Sequence, residues 1–188
     1  MLTLVEAHLV SALGEDSGRA SVTFLGAERI DVLRFGPDGT GVWRYATVGM
    51  ARAPMADPGS YDTTTGPRAE LLLSVQGPQD SVARRLAALA AAPSVEGVVV
   101  APGATLDLQE PIWDGARFTA VLVAVPGGQV VDLGLDGADE AVRFLPLLPM
   151  TAEEAAFTRV KGAADIERRW LDQGLDLRDP RRSAASLT

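Results

Sequence analysis

The sequence predicts a single α+β domain with a central mixed, mainly antiparallel sheet covered by helices. Three observations carry this. Apolar residues at helical spacing occur at the N-terminus, in the middle and near the C-terminus, with runs of extended segments between them. Leu71, Leu72 and Leu73 are apolar on both faces of one extended segment, as a strand covered on both sides requires. The order helix, strands, helix, strands, two helices is an α+β pattern. Residues 1–175 make up the predicted domain, and the polar residues 176–188 a mobile tail.

The elements follow in order. Residues 3–13 place Leu4, Val5, Leu9, Val10 and Leu13 at helical spacing, with Thr3 as N-cap and Gly14 as stop. Residues 19–25 and 30–35 read as strands, and 42–48 as the return strand of a hairpin through Pro37-Asp38-Gly39-Thr40-Gly41. Residues 51–67 hold three prolines and three threonines and form a loop of the length that often carries function. Residues 68–76 are the central strand. A helix opens at Pro78-Gln79, carries Val82, Leu86 and Leu89 on its buried side and stops at Pro93. Residues 98–101, 117–125, 129–135 and 142–148 read as strands, with a turn over 102–106. Thr151 and Glu154 have the spacing of a capping box. Gly162 separates that helix from a last one over 163–173, whose apolar side is Ile166, Trp170 and Leu171.

Charge and composition bound the function. The chain has 17 Lys and Arg against 25 Asp and Glu, a net charge of -8. Such a surface repels phosphate backbones and anionic lipid, so neither nucleic acid nor membrane is the expected partner; a basic protein would be attracted. Cysteine is absent, which rules out disulfides, thiol catalysis and Cys-based zinc sites. No signal-peptide pattern opens the chain and no apolar run approaches the roughly 20 residues that span a bilayer, so a cytoplasmic location is expected.

No catalytic constellation is legible. His8 is the only histidine and lies within the first helix, where a solvated or capping role fits it. No nucleophile elbow, phosphate loop, paired metal-ligand spacing or cofactor motif occurs. The acidic pairs Asp139-Glu140 and Glu153-Glu154 fall at a turn and a helix start, where they complement backbone dipoles. Arg68 and Glu70 stand two apart on one strand and share a face. They are expected to form a polar network with Thr47 that anchors the following loop. Pairing between the two, or contact with a partner, is also open to them. Trp43 and Trp170 read as core. Trp113, in Pro111-Ile112-Trp113-Asp114, reads as either core or an exposed anchor for a partner.

Several motifs together carry a family resemblance. Tyr45-Ala46-Thr47-Val48-Gly49-Met50, then Pro54, then Arg68-Ala69-Glu70-Leu71 resemble the core motif of the Suppressor-of-Fused-like domain as its bacterial members show it. Pro102-Gly103-Ala104-Thr105-Leu106 is similar to the family's turn ahead of a strand. Leu145-Pro146-Leu147-Leu148-Pro149-Met150-Thr151, with Glu153-Glu154 and Lys161-Gly162-Ala163, is similar to its Leu-Val-Pro-Ile segment, acidic helix start and Lys-Gly break. The likeness runs over about residues 20–174. It implies an α+β domain without known catalysis. The animal namesake restrains a transcription factor, using an added C-terminal domain that is not expected in a chain of this length. Bacterial relatives are linked with polymorphic toxin systems, where such domains are thought to act as immunity proteins.

The reading expected from all this is a non-enzymatic, intracellular protein-binding module, immunity-like, that binds and neutralises a toxin domain, for which the charge favours a basic one, and needs no cofactor. Thr47, Gly49, Met50, Arg68, Glu70 and Trp113 are its candidate structural or partner-site residues. The alternatives are a hydrolase or a small-ligand sensor that uses a pocket beside the 51–67 loop.

Overall fold

The computed structural model describes residues 1–26, 28–56, 65–135 and 141–188, so residues 57–64 of the expected loop and the Asp139-Glu140 pair lie outside it. In chain order the described elements are α1 (Leu2–Leu13), β1 (Asp16–Val22), β2 (Ile30–Phe35), β3 (Val42–Val48), a short helical turn (Met50–Arg52), β4 (Arg68–Gln76) and α2 (Val82–Glu96). Then come β5 (Thr105–Asp107), β6 (Ala120–Val123), β7 (Leu133–Gly134), β8 (Ala141–Met150), α3 (Ala152–Lys161) and α4 (Ala163–Asp172). They form one open sheet in the order β1-β2-β3-β4-β8-β6-β5, with β7 also on β8. The β4–β8 pair is parallel and the other described pairs are antiparallel. Parallel neighbours need a long crossover, and α2 with the following segments supplies it.

The leucine run explains the layering. Leu71 and Leu73 pack with Val82, Leu86 and Ala90 of α2 in one cluster. Leu72 points the other way and packs with Val5 and Leu9 of α1, Leu33 and Phe144. A third cluster places Ile166 and Trp170 of α4 against Leu122 and Met150. His8 of α1 stacks on Phe144 with centroids 5.3 Å apart, and its Nε2 lies 2.8 Å from the Val131 carbonyl, tying α1 to the segment before β7.

The β2–β3 hairpin forms as expected. Asp38 holds it by accepting from the Thr40 amide and hydroxyl, the Val42 amide and Arg44. Led by Thr40 and Arg44, these bonds keep its carboxyl well below the usual carboxylate range.

Several expectations change. Helix α2 runs through Pro93 to Glu96, because the amide of left-handed Gly97 donates to the Pro93 carbonyl at 3.1 Å and closes the last turn. Residues 98–101 are not a strand, and the 102–106 turn ends in β5. Residues 129–135 reduce to the two-residue β7, since β6 occupies the same side of β8 from Leu147 onward. Leu171 is exposed. Residues 176–188 are not a loose tail. The Gln76 amide donates to the Arg178 carbonyl at 2.7 Å, and Arg182 and Ala185 are buried. A guanidinium meeting a buried carboxylate ties a polar segment to the domain, and composition cannot register that.

Candidate functional site

The site expected around the β3–β4 junction is assembled by a break in the ladder. Pairing between β3 and β4 ends at Ala46–Leu72. The next β4 amide, Leu71 N–H, donates to the Thr47 hydroxyl at 2.8 Å, and that hydroxyl donates to Glu70 Oε2 at 2.6 Å. Beyond Val48 the chain turns sharply at Gly49, whose φ is +141°. A side chain there would meet the Arg29 carbonyl and Ile30 at 3.0 Å, so glycine is required by conformation and by space. The turn aims three successive amides at one carboxylate. Gly49 N–H donates to Glu70 Oε1 at 2.8 Å, Met50 N–H to Oε2 at 3.3 Å and Ala51 N–H to Oε1 at 3.1 Å.

Arg68 completes the clamp from the same strand. Its Nη1 donates to the carbonyls of Ala51 and Arg52 at 2.9 and 2.8 Å. Glu70 thus holds the turn by its N–H groups and Arg68 holds it by its C=O groups. The anchoring network expected from the sequence is present, though Glu70 binds backbone amides rather than the guanidinium. The stem of the loop is closed as well: Met55 N–H donates to the Pro67 carbonyl at 2.8 Å. Gly66, at φ +143°, lies where a Cβ would come 2.4 Å from the Met55 carbonyl oxygen.

Glu70 is 0% exposed. Burial pushes its carboxyl up to about 7, against the pull of the Thr47 hydroxyl and the three amides. All four partners are donors and favour the carboxylate, but burial outweighs them and favours the protonated form. A cavity of about 460 Å³ does lie beside the turn, lined by Gly49, Met50, Arg52, Pro54, Ala90 and Pro93 among others. Glu70 is not among its lining residues, and its oxygens are already engaged.

Trp113 is not an exposed anchor. It is 5% exposed, packs edge-on to Phe118 with centroids 5.7 Å apart, and belongs to the cluster under α2. The loop-like sequence folds back because Ile112 N–H donates to the Phe118 carbonyl and Ala116 N–H to the Trp113 carbonyl.

A second polar centre escaped sequence reasoning. The capping box forms as expected: Thr151 accepts from Glu154 N–H, and Glu154 Oε2 accepts from Thr151 N–H. Glu154 also binds Arg182 through both oxygens, each at 2.8 Å, and accepts from the Trp170 indole and the Ala185 amide at 3.0 and 2.9 Å. Their side chains are 2% and 0% exposed for Arg182 and Glu154. Burial alone would raise the Glu154 carboxyl, but Arg182 and the surrounding donors outweigh it and hold it below the ordinary value. The available signal was the apolar Ala184, Ala185 and Leu187 following Arg181-Arg182 in a segment read as polar.

Comparison with known proteins now bears on the whole assembly. The family model for Suppressor of fused protein (SUFU) matches residues 26–183, a span that contains Glu70, Glu154 and Arg182. This chain belongs to the SUFU family. Its fold is that of a SUFU homologue from Neisseria gonorrhoeae FA 1090, with a TM-score of 0.75 at 19% identity, covering 99% of this chain and 97% of that one. A chain of the Sufu–Fu complex matches with a TM-score of 0.67 at 14% identity, covering 98% and 91%. Drosophila Suppressor of Fused matches with a TM-score of 0.64 at 15% identity, and this SUFU domain spans 50% of that chain. No protein of curated function matches. Among the described residues, no helix of this SUFU chain is long and apolar enough to cross a membrane.

Proposed function

We propose that this SUFU-family chain is a non-enzymatic protein-binding module of the cytoplasm, immunity-like in role, that binds a basic toxin domain and neutralises it. The observation that carries the reading is the state of Glu70. The best candidate for an acid or base is sealed from solvent and engaged by one hydroxyl and three backbone amides. A general base must come within hydrogen-bond reach of its substrate, and Glu70 is placed to hold a turn instead. The complex of a related fold with Fu supports a protein as the class of partner. The net charge of -8 supports a basic one, because like-charged partners are repelled and opposite charge speeds encounter. The face used would lie on the acidic surface or beside the turn at residues 49–56.

Co-expression with the product of the neighbouring gene tests this directly. A stable complex, and survival of cells that otherwise die from the toxin, is the expected result. Turnover of a small substrate that disappears in a folded Glu70→Gln variant would overturn it in favour of an enzyme.

A further inference from the structure

We infer that Glu154, Phe118, Trp170 and the Pro149 carbonyl form an arginine-recognition site, which Arg182 of the chain itself fills and an arginine-bearing segment of a protein partner can fill by exchange. The inference rests on the protein-binding reading for the class of partner, but the site itself is argued from geometry.

The pocket fits a guanidinium. Arg182 Nη1 donates to Glu154 Oε1 at 2.8 Å and to the Ser183 carbonyl at 2.9 Å. Nη2 donates to Glu154 Oε2 at 2.8 Å and to the Pro149 carbonyl at 2.7 Å. The guanidinium carbon lies 4.8 Å from the ring centre of Phe118 and 5.7 Å from that of Trp170. A forked contact between two aromatic rings selects arginine over lysine, because only a planar guanidinium offers two parallel N–H groups and a face to stack. Nε is buried without a hydrogen-bond partner, so the site takes the guanidinium through its two Nη groups alone.

The occupant arrives on a separable segment. Residues 176–188 contain no helix or strand and follow Gly174, which bends the chain at φ +61°. Between 179 and 188 only Arg182 and Ala185 are buried. The other hydrogen bonds of its last residues are exposed, Ser186 to Gln173 and Arg169 to the carbonyls of Ser186 and Thr188, and half-buried Leu187 packs against the Ile166 and Trp170 cluster. The receptor, by contrast, is built without that segment. Thr151 N–H and the Trp170 indole hold the Glu154 carboxylate from α3 and α4, and they stay when the segment leaves. An emptied site would leave a buried charge unpaired, so the site favours exchange of one arginine for another over standing open.

The test uses the full chain and a fluorescein-labelled peptide of residues 179–188, with a second peptide carrying Ala in place of Arg182. The Arg182→Ala protein is expected to bind the first peptide and not the second, and Glu154→Gln added to it is expected to abolish binding. Wild-type protein should bind at least about tenfold more weakly, because a tethered segment competes at an effective concentration near millimolar. A folded Arg182→Ala protein that ignores the first peptide overturns the inference. If that variant does not fold, Gln173→Ala replaces it, since it frees Ser186 and leaves Arg182 in place. Hydrogen exchange at the Ala185 amide should then quicken while Ile166 and Trp170 amides stay protected. Exchange of Ala185 only through global unfolding would make the segment a fixed part of the fold and overturn the inference. Capture of the toxin is measured separately, so either failure leaves the protein-binding reading standing on its own result.

Discussion

The Thr47 hydroxyl joins two strands by donating to Glu70 at 2.6 Å while accepting the Leu71 amide at 2.8 Å. One oxygen thereby replaces a ladder bond and orients the carboxylate that holds the following turn. Thr47→Val keeps the shape and removes both bonds. It should cost about 1–3 kcal/mol in urea unfolding, the usual penalty for buried polar groups left unpaired. A midpoint equal to wild type would show that the hydroxyl is dispensable.

Glu70→Ala should cost more, about 3 kcal/mol or above, because three buried amides and a hydroxyl lose their acceptor together. The cause is the orphaned backbone, not a stranded guanidinium, since Arg68 donates to carbonyls of the same turn. Arg68→Ala should therefore be the milder variant. If it proves the more damaging of the two, the division of labour described here is wrong.

The two buried carboxylates should impose opposite pH dependences. Burial raises Glu70 in the folded protein from an ordinary 4.5 to about 7. The folded state then binds a proton more tightly than the unfolded one. Its contribution to stability is complete below about 4.5 and is lost as pH rises to about 7, by about 3 kcal/mol at most. Glu154 is lowered instead, so its contribution is complete above 4.5 and is lost as pH falls through its folded value. Unfolding midpoints from pH 4 to 8 should lose the neutral-range slope in Glu70→Gln and keep it in Glu154→Gln. Equal slopes in both variants would contradict the assignment.

Breaking the buried ion pair on one side, by Glu154→Gln or Arg182→Ala, should cost about 3–5 kcal/mol. Replacing both by methionine should recover only part of that: apolar groups need no counter-charge, but the Thr151 and Ala185 amides and the Trp170 indole lose their acceptor. A double variant as stable as wild type, by thermal unfolding, would mean that those three bonds contribute little.

Trp113→Ala should destabilise by about 3–5 kcal/mol, as large-to-small core changes do, and leave affinity for the partner unchanged while the protein is folded. Selective loss of binding at unchanged stability would return Trp113 to the partner surface. Binding of a basic partner should also weaken as salt rises past about 0.1 M, where exposed charges are screened beyond about 10 Å. Indifference to salt would remove the electrostatic argument for a basic toxin.

Local chemistry made much of this molecule readable from the sequence alone. Leu71-Leu72-Leu73 announced a strand covered on both faces, Pro37 to Gly41 a hairpin, Thr151 and Glu154 a capped helix start, and Thr47, Arg68 and Glu70 a loop anchor. Each is a pattern of neighbours, or of residues on two adjacent strands, where spacing and side-chain chemistry suffice. Tertiary packing alone decided the rest. It sent Glu70 to the amides of residues 49–51 because a glycine turn aimed those amides at it. It buried Trp113 because the chain after it folds back onto Phe118. It also brought Arg182 to Glu154 across 28 positions, turning a segment that reads as a solvated tail into the holder of a buried charge. Periodicity records which face of an element avoids water. It does not record which distant group will neutralise a charge once water is gone, because that partner is chosen by the three-dimensional arrangement of the elements.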